Sequence, residues 1–263
     1  MRLVSWSMAI ALAATSLAQA QEGVRVKVEG RVDDPGERTL PLTARLADAV
    51  TSAHVRPDAY VVGAAWLRPE LLDEQTRLKA GLQFELGVIE RTAAVGRGKE
   101  SLPDLVQRMH AWLDAMPVTG RQVVRTLEPH AIQIDRPDNL PVADGDRLYY
   151  PSRPVTVHIV GAVIGSCEVP QAGLKDVRDY AGQCARSRYA DPDWVWVVEP
   201  DGSISERGIG LWNRSPATPV APGAYLYVPL DRRAIADATD KEFNRDMARF
   251  LATQPTSGSG TMP

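Results

Sequence analysis

Residues Val24 to Val32 read VRVKVEGRV, and Val155 to Val163 read VTVHIVGAV. In the first stretch apolar and charged residues alternate with period two, the pattern of a strand with one buried and one wet face. Both stretches close on Gly-x-Val, at Gly30 and Val32 and again at Gly161 and Val163. After the first copy, Asp34-Pro35-Gly36 makes a turn because proline presets φ and glycine accepts positive φ. The chain is then expected to return as a short strand at 39–42. A helix over 44–53 follows, with Thr43 as N-cap and Leu46 and Val50 on one face, and then a strand at 59–65.

The second copy repeats this order. A strand and turn lead to Gly173, a helix is predicted with Leu174, Val177, Ala181 and Cys184 on one face, and Trp194 to Val198 is an apolar strand. The endings match as well, LPVADGDRLYYP from Leu140 against PVAPGAYLYVP from Pro219, each a glycine turn followed by an aromatic strand stopped by proline. The fold class read from these patterns is α+β, built from two tandem copies of one small unit.

The copies differ by an insert at 67–117. Its first helix carries the stripe Leu67, Leu71, Leu78, Leu82, Leu86 and Ile89, with Pro69 in the first turn. Its second starts at Ser101 and places Leu105, Met109, Trp112, Leu113 and Met116 together. The two are expected to form an antiparallel pair packed on, or projecting from, the first domain. Beyond Pro229 a further amphipathic helix is predicted from Asp231 to Thr253, with Ile235, Thr239, Phe243, Met247, Phe250 and Leu251 as its apolar stripe. A Ser-, Gly- and Thr-rich tail from Pro255 reads as disordered. The expected domains are a signal peptide at 1–20, a first domain at 21–153, a second at 154–230, and the helix and tail at 231–263.

At 263 residues, with 44% hydrophobic and 24% charged, the composition is that of an ordinary globular chain, and 20 Gly with 20 Pro favour many turns. The formal charge of −3 and the lack of a basic run argue against nucleic-acid binding, which needs a stripe of cations on phosphates. Arg2, the apolar run to Leu17 and Ala18-Gln19-Ala20 read as an export signal expected to be cut after Ala20, with an uncleaved N-terminal anchor as the other reading. No segment is long and apolar enough to be read as a membrane span. Export places Cys167 and Cys184 in an oxidising compartment, where a bridge between them is expected to contribute on the order of 3 kcal/mol. The alternatives are two buried thiols or a metal site, and two cysteines without a nearby histidine make a poor zinc site.

Catalytic signatures are not found. His54, His110, His130 and His158 are scattered, Gly96-Arg97-Gly98-Lys99 lacks phosphate-loop spacing, and no nucleophile elbow occurs. Asp144 and Asp146 invite comparison with paired glycosidase carboxylates, but they read better as a solvated turn whose acids are missing from the second copy. No metal and no cofactor are expected.

The run Val26-x-Val28-x-Gly30-x-Val32-x-x-Pro35-Gly36, followed by Leu40, Leu42 and a short helix, resembles the soluble β-grasp units (SLBB-like) of bacterial polysaccharide export proteins. The whole order resembles the GfcC family of capsule biosynthesis proteins. That resemblance implies two tandem β-grasp domains, the first with a helical-hairpin insertion, and a C-terminal amphipathic helix. It also implies a periplasmic, non-enzymatic role in capsule or exopolysaccharide production or export. Polysaccharide or the export machinery would be the partner. The lipidated cysteine and export motif of Wza-type channels are absent from the sequence.

The family's Pro-Val-Thr-Gly-Arg stretch matches Pro117 to Arg121, which makes Arg121 a candidate pocket cation for an acidic glycan. A structural tie from Arg121 to a carbonyl or carboxylate is the other reading. Trp194, Trp196, Tyr149 and Tyr150 are candidates for stacking on sugar rings, with at least half of them expected in the core. Two other functions stay open: a periplasmic carbohydrate-active enzyme with an unrecognised site, or a structural adaptor contacting a protein partner through its C-terminal helix.

Overall fold

The computed structural model describes residues 23–96, 98, 101–134 and 137–256. The expected signal peptide lies outside the described residues, as does the tail beyond Thr256.

Strand β1 (Val24–Gly30) pairs antiparallel with β2 (Gly36–Leu40) and parallel with β5 (Asp146–Tyr150). On the far side of β5 come β3 (Ala65–Leu67) and β4 (Arg121–Gln122), giving the order β2-β1-β5-β3-β4. The second sheet repeats this plan with β6 (Thr156–Gly161), β7 (Cys167–Pro170), β8 (Trp194–Val198), β9 (Ile204–Gly208) and β10 (Tyr225–Val228) in the order β7-β6-β10-β8-β9. Again the first and last strands run parallel at the centre. A helix follows each opening hairpin: α1 (Leu46–Ser52) in the first unit, α5 (Val177–Ala181) in the second.

The repeated Gly-x-Val has a steric cause. Gly30 and Gly161 adopt φ of +88° and +97° where the chain leaves the sheet. A Cβ there would lie 2.1 Å from the Tyr150 carbonyl oxygen and 2.4 Å from that of Val228, so only glycine fits.

Several local expectations shift. The helix expected over 44–53 begins at Leu46, and the Arg45 backbone N–H donates to the Asp48 carboxylate at 2.8 Å in place of a Thr43 cap. The strand expected at 59–65 is a single bridge at Ala59 and a 3-10 turn at Val61–Gly63, with the strand starting only at Ala65. Its start is displaced because Tyr60 is pinned elsewhere, its N–H on the Pro151 carbonyl at 2.8 Å and its hydroxyl on the Pro222 carbonyl at 2.9 Å. Leu174 is 95% exposed, outside the apolar face formed by Val177, Ala181 and Cys184. Cys167 and Cys184 form the expected disulfide, which closes 17 positions and ties edge strand β7 to the chain after α5.

The insert forms α2 (Leu72–Val95) and α3 (Leu102–Ala115), which pack on each other. Their placement corrects the expectation of a pair packed on, or projecting from, the first domain. Leu82, Leu86, Ile89, Leu105, Met109 and Leu113 join one core with Val157, Ile159, Val195 and Leu226 of the second sheet. The first unit has a separate core built on Val26, Val28, Leu46, Trp66, Leu148 and Tyr150, with Ile132 from α4 (Ala131–Ile134). Strand composition explains the choice. In β1 the residues Arg25 and Lys27 face solvent, whereas Val195 to Val198 are buried on both faces of β8. The second sheet therefore needs two apolar covers and the first needs one.

The long helix predicted after Pro229 is two helices, α6 (Arg232–Ile235) and α7 (Phe243–Ala252). The chain turns between them, where the Asp240 carboxylate accepts the Glu242 N–H at 2.7 Å. Phe243, Met247, Phe250 and Leu251 are buried, so α7 spends its apolar face on α2, β8 and β9 of its own chain. Asn244 locks it there: its Oδ1 accepts from the Tyr227 hydroxyl at 3.0 Å and from Leu230 N–H at 3.1 Å, and its Nδ2 donates to Leu230 O at 2.9 Å. Burial continues through Gln254, Pro255 and Thr256, later than the expected start of the tail at Pro255.

Candidate functional site

Because the first sheet has one uncovered face, the alternation in β1 and β5 leaves Glu29, Arg147 and Tyr149 side by side in register, with Leu67 of β3 opposite Arg147. The two ends of the insert rise over this face. Arg68, Pro69 and Leu72 lead in, and Pro117, Val118 and Thr119 lead out, while Pro255 closes one side. They bound a groove of about 770 Å³. Its lining is mostly apolar with a few convergent polar groups, the usual make-up of a small-molecule site.

Within the groove Arg147 places Nε and Nη2 on Glu29 Oε2 at 2.9 and 2.6 Å, and Lys27 holds Oε1 at 2.7 Å. Burial pushes the Glu29 carboxyl up, but the hydrogen bonds from Lys27 and Arg147 outweigh it and hold the group below the usual range. Arg68 lies 4.3 Å over the Trp66 ring. Its Nη2 meets Glu70 Oε1 at 2.8 Å and its Nε stands 3.8 Å from Asp146 Oδ2. Asp146 is fully buried, contrary to the solvated-turn expectation. Its Oδ2 accepts from Trp66 Nε1 and from Ala143 N–H, both at 3.0 Å, and burial raises its pKa despite these bonds. Asp144 does behave as a solvated turn residue, clasped by Arg25 Nε at 3.0 Å and Nη2 at 2.8 Å and held down to about 2, the hydrogen bonds from Arg25 being the main cause.

Arg121 sits behind the groove, outside its lining. It is 4% exposed. Nη1 donates to Gln254 O at 3.0 Å and Ala252 O at 3.4 Å, and Nη2 to Pro200 O at 2.5 Å and Ala64 O at 3.3 Å. Burial pushes its pKa down to about 10, leaving it charged at neutral pH. The acceptors belong to the first unit, the second unit and the end of α7, so one guanidinium joins three parts of the chain. The neighbouring turn is stitched to the same place. Thr119 Oγ1 donates to Thr253 O at 2.6 Å, Gln254 Nε2 to Pro117 O at 3.1 Å, and Gln75 Nε2 to Arg121 O at 3.0 Å.

The remaining candidates disperse. Of the aromatic four, Tyr150 and Trp196 are core, Trp194 packs edge-on to Trp212 with centroids 6.4 Å apart, and Tyr149 lines the groove. His130 pairs with Glu128 at 3.0 Å, while His158 stacks on Tyr225 at 4.9 Å. Among the described residues no group of three His, Cys, Asp or Glu side chains is placed to hold a metal ion. Sequence reading missed Glu29 and Arg147 as groove residues because charges on an alternating strand look like any wet face, and Arg68 because it stands in the turn after β3 with no motif around it.

Residues 165–255 match the family model described as "Capsule biosynthesis GfcC C-terminal". The chain is also 25% identical over 190 residues to the uncharacterized protein YjbG of Escherichia coli (strain K12), an alignment covering 71% of this chain and 76% of the relative. From β7 to β10, with the disulfide and α7, the chain therefore matches the C-terminal model of the capsule biosynthesis GfcC family, the family that the repeated units and their order resemble.

Proposed function

We propose that the protein is a periplasmic, non-enzymatic component of capsule or exopolysaccharide production or export, and that it binds the polymer in the groove on the first sheet. The family match supports a role in capsule production. The disulfide supports an oxidising compartment, and no helix among the described residues is long and apolar enough to cross a membrane. Each sheet is, in this reading, a β-grasp unit: a hairpin, a crossing helix and a last strand parallel to the first at the sheet centre.

The observation that carries the binding role is the groove itself, about 770 Å³ of uncovered sheet face with Tyr149 and a charged pair at its floor. Arg121 serves it indirectly, fixing the wall at Pro117 to Thr119 by anchoring the turn to the chain end. Filling the groove tests this. Val118→Trp is expected to weaken binding of capsular polysaccharide purified from the source organism at least ten-fold, with polymer length unchanged after incubation with either protein. Undiminished binding by the variant, or shortening of the polymer, would refute the proposal.

A further inference from the structure

Two buried polar atoms beside the groove, Arg68 Nε and Asp146 Oδ1, make no hydrogen bond, although Arg68 Nε stands 3.8 Å from Asp146 Oδ2. Unpaired buried polar atoms are rare in native proteins and mark places where a function or a ligand accounts for them. We propose that Arg68 is the ligand-binding cation of the groove and that its ligand is a carboxylate-bearing saccharide. This inference rests on the polymer-binding reading above and names the class of polymer.

The guanidinium is preorganised. Its flat face lies on Trp66, and Trp66 is itself fixed through Nε1 on Asp146. Asp146 stands behind Nε and is held by the Ala143 N–H. An arginine set between an aromatic ring and a buried carboxylate loses little freedom on binding and presents a planar fork that fits a carboxylate.

The charge balance of the groove points the same way. Of its charged lining residues Arg68, Arg147 and Glu29, the last two neutralise each other at 2.6 Å. That leaves Arg68, which has Asp146 behind it at 3.8 Å and the Pro141 carbonyl at 3.5 Å, and whose hydrogen-bonded carboxylate partner is Glu70 at 2.8 Å, with the Glu70 side chain 54% exposed. The Arg68 side chain is only 10% exposed, so it is the Glu70 half of the pair that faces solvent, and an incoming carboxylate can replace Glu70 on the fork and leave Glu70 to water. The apolar walls at Leu67, Leu72 and Val118 and the ring of Tyr149 would take the faces of the sugar.

The test compares binding of uronic-acid hexasaccharides (galacturonate and glucuronate series) and of sialic-acid oligomers with their carboxyl-reduced counterparts, by calorimetry on the purified protein. The wild type is expected to prefer at least one acidic form over its reduced counterpart ten-fold or more. Arg68→Gln should bring that ratio near one, and Glu70→Gln, which removes the competing carboxylate, should tighten acid binding two- to three-fold without changing the reduced form. Equal wild-type binding of acidic and reduced forms, or preference persisting in Arg68→Gln, overturns the inference and leaves the polymer-binding reading standing. Binding of neither form by the wild type overturns the inference, and the polymer-binding reading is then decided by the purified capsular polysaccharide. If Arg68→Gln fails to fold, Glu70→Gln decides: acid binding no tighter than the wild type's refutes the exchange.

Discussion

The two sheets share one strand order and differ in what covers them. The first has a single apolar face, closed by α1, and turns Arg25, Lys27, Glu29 and Arg147 outward. The second is apolar on both faces at Val195 to Val198 and takes α7 and the helices inserted in the first as part of its core. Equal topology thus supports unequal packing: one sheet leaves a face open on a groove, and the other spends both faces on cohesion.

The largest expected effect tests whether the two halves act as one body. Arg121→Met would strand carbonyls of Ala64, Pro200, Ala252 and Gln254 away from water. Removing a buried charged donor from several acceptors should cost roughly 4 kcal/mol. Urea denaturation should show that loss in a single transition, and an unchanged midpoint would mean that the halves hold together without the guanidinium.

A smaller loss distinguishes the sheets. Leu86→Ala removes a fully buried side chain of the insert from the second core, at about 3 kcal/mol. Hydrogen exchange should quicken in β8 and β10 while β1 and β5 stay protected. Equal acceleration in both sheets would break the distinction.

The smallest effect concerns the turn before β5. Arg25 holds the Asp144 pKa below its ordinary 3.8, near 2, so the pair adds stability above 3.8 that is lost as pH falls towards 2. Asp144→Asn should flatten that acid limb. The matching turn of the second sheet, Ala221 to Ala224, has no acid, so the limb belongs to the first sheet alone. A limb unchanged in the variant would assign it to other carboxylates.

Most of the architecture was legible because it repeats. Two strands ending in Gly-x-Val, two glycine turns and two aromatic last strands announce two α+β units, and φ of +88° and +97° at Gly30 and Gly161 show why the glycine recurs. What remained hidden was partnership at a distance. The stripe on α2 says that a face is buried without saying against which sheet, and only the doubly apolar β8 tips the balance. Arg121 was legible as a residue that matters, with both a ligand role and a structural tie in view. Its four carbonyl contacts come from segments up to 133 positions away, which no local pattern encodes. The continuous helix after Pro229 failed because apolar spacing alone carries no information about a turn set by Asp240.

The inserted pair α2 and α3 has a consequence for how the chain can be divided. The pattern of the sequence places a border near residue 153, but a fragment beginning there would lack Leu82, Leu86, Leu105 and Leu113 and present bare hydrocarbon where they belong. A fragment ending there would carry the same leucines with nothing to lie against. The border between the repeats is therefore no boundary of folding: in a chain made from its N-terminus, the inserted helices stay unmatched until the second sheet is in place.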